Sequence, residues 1–387
     1  MNEPTGEQMM DLMLSAQEKD FKEYCRKFAR EKVIPIAEKY GETDDIPKEL
    51  VAAMAKAGFF QLFLPEDLGG RGVKALPICL ARGELAGVYC PADVTLAMQG
   101  LGSYPIFLAG NRDQKEKFLS KIGSGEWLTT YALTEPEAGS DVNGMRSQAK
   151  EEAEGFVLNG SKRFISNGYA ADILVAFAKT PLDGNPKAMS AFVLEKGMPG
   201  LVVAKRLRAM APHDLVELEF NQCFVPRKNL LGKVGEGFKI AMKTLDVFRM
   251  SVGAAAVGIG QAAFEAALNY SKKRVQFGSS IVKFQAIQLK LAEMATELDA
   301  ARALVYRAAI AKDRGDSNVS RFASMAKFYA TEIGFHVVDQ GLQIHGGIGV
   351  IQGSLVERLY REIRALRIYE GTSEIQKLII ANSFLKG

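Results

Sequence analysis

Little in this sequence names a function unaided. The 387 residues hold four cysteines, Cys25, Cys79, Cys90 and Cys223, far apart and in no CxxC pair. That spacing excludes a cysteine zinc site and a disulfide framework, and it predicts a reducing compartment. Three histidines, His213, His336 and His345, show no metal-ligand spacing, so no metal centre is expected. No uninterrupted run of about 20 apolar residues offers a membrane span. The richest stretch, MSVGAAAVGIGQAAFEAAL, is broken by Gln261 and Glu265 and reads as a buried helix. With 49 basic and 45 acidic side chains the net charge is only +4, and no basic run forms a tail. Nucleic acid is therefore not an expected partner. The opening MNEPTGEQMMD is acidic and polar, unlike a secretory or mitochondrial leader, so a cytoplasmic location is expected. Also missing are GxxxxGK[ST], a GxGxxG between strand and helix, and a GxSxG elbow. Phosphate-loop, Rossmann and serine-nucleophile chemistry are disfavoured accordingly.

What is present is an ordinary globular balance, 48% hydrophobic and 24% charged. The length predicts two or three packed units. Residues 1–128 read as helical. Phe21, Tyr24, Cys25 and Phe28 recur at helical spacing. Pro35 should bend or end that helix, and Pro47 suits the first turn of the next. ALPICLARGELAG and VTLAMQGLGSYPIFLAG read as buried helices. Residues 129–228 turn to short β-type runs, and Asn159-Gly160 between two of them signals a hairpin. Residues 229–387 return to long helices near 235–272, 283–314, 317–345 and 372–385, a bundle pattern. The expected architecture is mainly α with a central β domain: an N-terminal helical domain, a middle β-barrel or sandwich and a C-terminal helical bundle.

One carboxylate stands apart. RIYEGTSEIQ puts Glu370 and Gly371 just before an amphipathic helix, with Thr372 and Ser373 as N-cap candidates. Taken alone, Glu370 reads as a surface or capping group.

Several motifs together alter that reading. PEDLGG stands at 65–70, YALTEPEAGSD at 131–141, NGSKRFISNG at 159–168 and FVPRKNLLGKVGEGF at 224–238. KRVQFG stands at 273–278, QIHGGIG at 343–349 and RIYEGTSEIQKLIIA at 367–381. In this order and spacing the chain resembles the acyl-CoA dehydrogenases over essentially its whole length. The resemblance implies a helical, β, four-helix-bundle fold, FAD as cofactor, an acyl-CoA substrate, electron-transfer flavoprotein as oxidant and a homotetramer. It implies that Glu370 removes the α-proton while the β-hydrogen leaves as hydride to flavin N5. A carboxylate in that role must be dry and close to the thioester, so its pKa should be raised by burial. The family's other base position falls on Phe248, which cannot take a proton.

The resemblance also assigns contacts. Tyr131, Leu133 and Thr134 look like the loop on the flavin pyrimidine edge, and Ser140 like a residue near the CoA pantetheine or diphosphate that also touches FAD. Phe164 falls where the family usually has a Trp against the flavin, and Ser166 where it usually has a Thr on N5. A Phe still packs a ring and a Ser hydroxyl still donates. Arg274, Gln276 and Phe277 look like residues gripping FAD from a neighbouring subunit, with Gln343 and Gly347 across that interface. Thr372 and Glu374 lie where the adenosine part is held. Asp246 and Arg249, together with Gly371, look like substrate contacts, and their i, i+3 spacing puts Asp246 and Arg249 on one helix face.

Asp93 lies in CPADVTLAMQG, which aligns with the helix lining the acyl pocket. Two readings stand for it. It satisfies a helix N-terminus after Pro91, or it is a second acid/base or polar contact suited to a ring-shaped acyl group of the cyclohexane- or cyclohexene-carboxyl kind. Two rival functions remain on the same fold. One is an acyl-CoA oxidase, disfavoured by the shorter chain; the other is a non-catalytic flavin-bearing binding protein, disfavoured by Glu370.

Overall fold

The computed structural model describes residues 13–385. Helix α1 (Ala16–Phe28) opens on a capping box: Ser15 accepts from the Glu18 N–H and the Glu18 side chain reaches back. Pro35 does not end the helical path. A π-turn over Ala29–Val33 carries the chain into Ile34–Tyr40, with the Ile34 N–H on the Ala29 carbonyl. Widening the turn before the proline lets the helix pass a residue without a donor. Pro47 precedes α2 (Lys48–Lys56) in extended conformation. The two apolar helices expected from sequence are α3 (Ala75–Ala86) and α4 (Cys90–Ala109).

The middle segment forms an eight-stranded sheet. Its strands are β1 (Thr129–Ala132), β2 (Gln148–Glu151), β3 (Gly155–Ser166), β4 (Ile173–Lys179), β5 (Met189–Glu195), β6 (Leu201–Arg206), β7 (Leu215–Pro226) and β8 (Leu230–Leu231). They run β6-β7-β3-β2-β4-β5-β8, with β1 added parallel to β4. Strand β4, ILVAFAK, is buried on both faces. Ile173, Val175 and Phe177 enter one apolar cluster while Leu174, Ala176 and Ala178 enter the other, as a period of two requires.

Asn159-Gly160 does not form the hairpin expected from sequence: β3 runs through it without turning. Gly160 has φ +139° and sits at a register shift against β7. An added Cβ would meet Ser147 Oγ at 2.4 Å. The positive φ and missing side chain serve a bulge and a close approach, the other uses of glycine in a strand.

After the sheet come α5 (Gly237–Lys273), a two-residue ribbon of β9 (Val275–Gln276) and β10 (Ser279–Ser280), α6 (Gln285–Asp313) and α7 (Val319–His345). Then follow α8 (Leu355–Arg364), which the sequence reading did not separate, and α9 (Ser373–Leu385). Helix α5 is long and apolar enough to pass for a membrane span, but most of it is buried within the protein. Contacts divide the chain into two compact units that cut across the three zones of the sequence. One gathers the chain up to Ala37, Lys74–Asp93 and Asp246 onward; the other holds Glu38–Val73 and Val94–Leu245. In the first, α3 packs against both α1 and α6, so the apolar face of an N-terminal helix is buried on C-terminal ones. Ala86, Val252, Ala256, Val338, Leu359 and Ile363 make one of its cores.

Candidate active site

The first unit contains the turn before α9. Glu370 has φ +54° and Gly371 φ +92°, two consecutive left-handed residues that reverse the chain into the helix. Left-handed backbone is strained for a glutamate and persists only where neighbours enforce it. They do so here through the carbonyls. Gln376 Nε2 donates to the Glu370 carbonyl at 3.1 Å and to the Gly371 carbonyl at 3.0 Å. Lys327 Nζ donates to the Gly371 carbonyl at 2.8 Å, and Arg249 Nε approaches the Glu370 carbonyl at 3.4 Å. Thr372 caps α9, accepting from the Ile375 N–H at 3.4 Å. Ser373 Oγ donates to Glu332, which also takes Arg367.

The Glu370 carboxylate itself is left over. Its Oε2 is buried and has no hydrogen-bond partner among the described residues. Burial pushes its pKa up to about 7, against the pull of Arg82, Lys327 and Arg249 and with a further push from Asp93. A buried unpartnered carboxylate near neutrality is what a proton acceptor requires. Burial in turn draws Lys327 down to about 8, against the pull of Glu370 and Glu332.

Arg249 and Asp246 form the pair expected from their spacing, Nη1 to Oδ1 at 3.0 Å, with Arg249 buried. Burial raises the Asp246 pKa against the pull of Arg249. Phe248, in the other base position, is fully buried. Asp93 has a partner that the sequence reading did not name. Arg82, in α3, donates from Nε to Oδ1 at 2.7 Å and from Nη2 to Oδ2 at 2.8 Å, and from Nη1 to Ser251 Oγ at 2.8 Å. Both residues are buried. Asp93 stands in the first turn of α4, but its carboxylate is spent on Arg82. Arg82, Lys327 and Gln376 are thus the residues that sequence reasoning missed. The signal available was a lone cation within an apolar or small-residue run, ALPICLARGELA and FASMAKFYA; such a charge must find a buried partner.

The second unit holds the residues assigned to the flavin ring. Tyr131 packs on Phe177 with ring centroids 5.0 Å apart. The Thr134 carbonyl accepts the Arg163 N–H at 2.9 Å, and Thr130 Oγ1 donates to the Ser166 carbonyl at 2.5 Å. These bonds bring the end of β1 beside the end of β3. Phe164 is 59% exposed with φ +60°, an aromatic face held outward at a backbone cost. Ser166 Oγ lies 3.4 Å from His213 Nε2. An outward aromatic, a hydroxyl and strand-end backbone groups fit the edge of a flat heteroaromatic ring. Ser140 is exposed on the loop after the Glu135–Ala138 bridge.

The residues assigned to the adenosine end are in the first unit and mostly exposed. The Arg274 N–H bonds to the Tyr270 carbonyl, and Tyr270 stacks on His345 at 4.5 Å. That contact ties the ribbon carrying Arg274, Gln276 and Phe277 to the α7 end carrying Gln343 and Gly347. Phe277 is 96% exposed with φ +51°. Thr372 and Glu374 stay with the Glu370 turn, Glu374 exposed in the first turn of α9.

Family models match nearly all of the chain. They are the acyl-CoA dehydrogenase N-terminal domain over residues 15–126, the middle domain over 130–223 and the C-terminal domain over 235–385. An acyl-CoA dehydrogenase of Bacillus subtilis is 42% identical over 365 residues, covering 94% of this chain and 96% of that one. A caffeyl-CoA reductase-Etf complex subunit of Acetobacterium woodii is 39% identical over 382 residues, covering 97% of this chain and 100% of that one. Among solved structures, the butyryl-CoA dehydrogenase of Megasphaera elsdenii superposes with a TM-score of 0.90 at 38% identity, covering 96% of this chain and 99% of that one.

Proposed function

The chain belongs to the acyl-CoA dehydrogenase family, FAD-dependent oxidoreductases of CH–CH donors, and on that footing we propose that Glu370 is its base and a short, medium or cyclic acyl-CoA its substrate. The observation that carries this is the buried, unpartnered Oε2 of Glu370, with its pKa brought up to about 7. Such a carboxylate is ionised in good part at neutral pH yet basic enough to take an α-proton. Lys327, Gln376 and Arg249 hold the consecutive carbonyls of Glu370 and Gly371. They fix the direction of the carboxylate and of the Glu370 N–H, which polarises the thioester oxygen as charge develops there. Bound FAD supplies the acceptor for the hydride that leaves Cβ. Phe164, Thr134 and Ser166 would hold its ring, and Arg274, Gln276, Phe277, Gln343 and Gly347 of a neighbouring subunit its distal end. Asp246 and Arg249 would meet the CoA moiety.

With α4 along the acyl pocket as the resemblance implies, the buried Arg82–Asp93 pair would give that pocket a polar wall that a simple alkyl chain does not need, and this supports a cyclic or functionalised acyl group. Asp93 serves as a second proton acceptor only where Arg82 releases an oxygen. The Etf-complex relative supports electron-transfer flavoprotein as the redox partner. Exposed Val275, Phe277, Ile348, Val350 and Ile351 support a homotetramer. The name of the same relative favours a second reading, in which the enzyme reduces an α,β-unsaturated acyl-CoA and Glu370 protonates Cα.

The test is anaerobic mixing with straight short and medium, branched, glutaryl, cyclohexane-carboxyl and cyclohexene-carboxyl thioesters, followed by flavin bleaching. Bleaching by one class that is lost in Glu370→Gln supports the proposal. Reoxidation of reduced enzyme by enoyl-CoA but no bleaching by saturated thioesters favours the reductive reading. Fast reoxidation by air favours an oxidase. No response to any thioester with FAD bound leaves a binding protein.

A further inference from the structure

Behind the strand end that carries Leu133 and Thr134 lies an ion pair that the chemistry above does not use. Lys162, in β3, is fully buried, and Glu135 is 3% exposed. Lys162 Nζ donates to Glu135 Oε1 at 2.8 Å and to the Leu133 carbonyl at 3.3 Å. Glu135 also accepts the N–H groups of Arg146 at 2.5 Å and Ser147 at 3.1 Å. Between them the Thr134 carbonyl takes the Arg163 N–H at 2.9 Å. Three consecutive residues, Leu133, Thr134 and Glu135, are therefore each held from outside their own strand.

Stability does not explain this arrangement. A buried ion pair rarely repays its desolvation against an apolar pair of similar volume. Burial draws Lys162 down to about 8 against the pull of Glu135, and burial likewise opposes the Glu135 charge, which Lys162 and the two N–H donors sustain. An apolar pair would remove that penalty. It could not grip a backbone carbonyl, and the carbonyl gripped belongs to the loop assigned to the flavin.

We propose that Lys162 and Glu135 are positioning residues for the flavin: the pair locks the Leu133–Glu135 backbone in the setting from which Thr134 meets the pyrimidine edge of the isoalloxazine. This rests on the assignment of residues 131–134 to the flavin edge. The lock acts through Leu133 and Thr134 and touches no reacting atom.

The experiment compares Lys162→Met, Lys162→Arg, the double variant Lys162→Met/Glu135→Leu, and Thr134→Ala in the full chain. Three quantities are read: apoprotein melting temperature, FAD affinity of the apoprotein by flavin fluorescence, and the midpoint potential of the bound flavin. Lys162→Met should lower both melting temperature and FAD affinity, the latter on the order of ten-fold, the scale of one charged hydrogen bond. The double variant should regain the melting temperature but not the affinity, and its potential should differ from that of the parent. Lys162→Arg, which keeps the charge and the donors, should recover most of the affinity. A double variant that binds FAD as tightly as the parent, at the same potential, makes the pair structural only and overturns the proposal. Thr134→Ala separates the underlying assignment: unchanged FAD affinity and potential there mean that the Thr134 side chain does not meet the flavin and overturn the proposed route through Thr134, whatever the pair does.

Discussion

Arg82 closes on Asp93 as a two-pronged fork, Nε to Oδ1 at 2.7 Å and Nη2 to Oδ2 at 2.8 Å, with both side chains buried. The guanidinium lowers the Glu370 pKa while the Asp93 carboxylate raises it, Arg82 having the larger effect, so the pair acts on the proposed base with partly cancelling signs. Burial works against the Arg82 charge and Asp93 more than restores it, so Arg82 stays charged.

Neutralising one arm should therefore move the pH limb of flavin reduction. The base must be deprotonated to act, so the rate rises with pH through its pKa. Asp93→Asn removes the negative arm, leaves the Arg82 charge less compensated, and should shift that limb to lower pH. Arg82→Met alone strands a buried carboxylate, which costs about 3–5 kcal/mol and risks the fold. Arg82→Met/Asp93→Asn removes both charges and, because the Arg82 pull on Glu370 outweighs the Asp93 push, should move the limb to higher pH than that of the parent. Stopped-flow bleaching from pH 5 to 9 reads the limb, and an Asp93→Asn limb at or above that of the parent would contradict this account.

Glu370 should also write itself into stability. Its folded pKa, about 7, lies above the ordinary 4.5, so the native state holds the proton more tightly than the unfolded one. That contribution is present below 4.5 and is lost as pH rises towards 7 and beyond. Above pH 7.5 the ionised, buried Glu370 costs on the order of 2–3 kcal/mol. Glu370→Gln has no such loss. Its melting temperature should match the parent near pH 4.5 and exceed it increasingly up to pH 8. A constant difference across that range would mean that Glu370 is no harder to ionise than a solvated carboxyl.

Much of this was legible in the residues. Helical periodicity and the switch to short β-type runs marked the three zones, because amphipathic spacing follows directly from burying one face. The motif around Glu370 singled out the carboxylate whose Oε2 the structure leaves buried and without a hydrogen-bond partner. What sequence could not supply was partnership at long range. Arg82 and Asp93 are near in sequence, yet a lone Arg in an apolar helix does not announce whether it meets a carboxylate or solvent. Lys327 sits on Gly371 only because α7 packs beside α9. Asn159-Gly160 misled because positive φ serves a bulge as well as it serves a turn, and only the register against β7 tells them apart. The helical zone at the start of the chain is divided between two units for the same reason: its helices find their apolar partners elsewhere in the chain.

Gly371→Ala tests whether the strained turn aims the base. Gly371 has φ +92°, and a Cβ there would stand 2.5 Å from Gln376 Nε2. The substitution sets a left-handed alanine, at a cost of about 1–3 kcal/mol, against displacement of the amide that holds two carbonyls. Gln376 can swing aside, so the fold should survive with a modest fall in melting temperature. Flavin reduction should slow roughly 10- to 100-fold, the scale of a misplacement near 1 Å, while FAD content stays that of the parent. A Gly371→Ala variant with parental reduction rate would show that the Glu370 carboxylate is aimed by something other than this turn.

Phe277 sets the last expectation. It is 96% exposed, its backbone is left-handed at φ +51°, and its nearest aromatic partner is Phe284 in an edge contact at 6.2 Å. An aromatic held out at that cost gains only the Phe284 edge contact within its own protomer; in the proposed assembly it would be buried by a second copy or by cofactor carried on one. Covering a phenylalanine is worth about 2–3 kcal/mol, repeated at each equivalent contact of a symmetric assembly. Phe277→Ser should thus leave the protomer's circular dichroism unchanged, shift sedimentation towards smaller species in the micromolar range, and lower the flavin-to-protein absorbance ratio. Adding excess FAD should restore part of the assembly, because ligand and subunit would share one interface and each would favour the other. A Phe277→Ser protein that sediments as the parent and retains its full flavin would instead assign this side chain to neither.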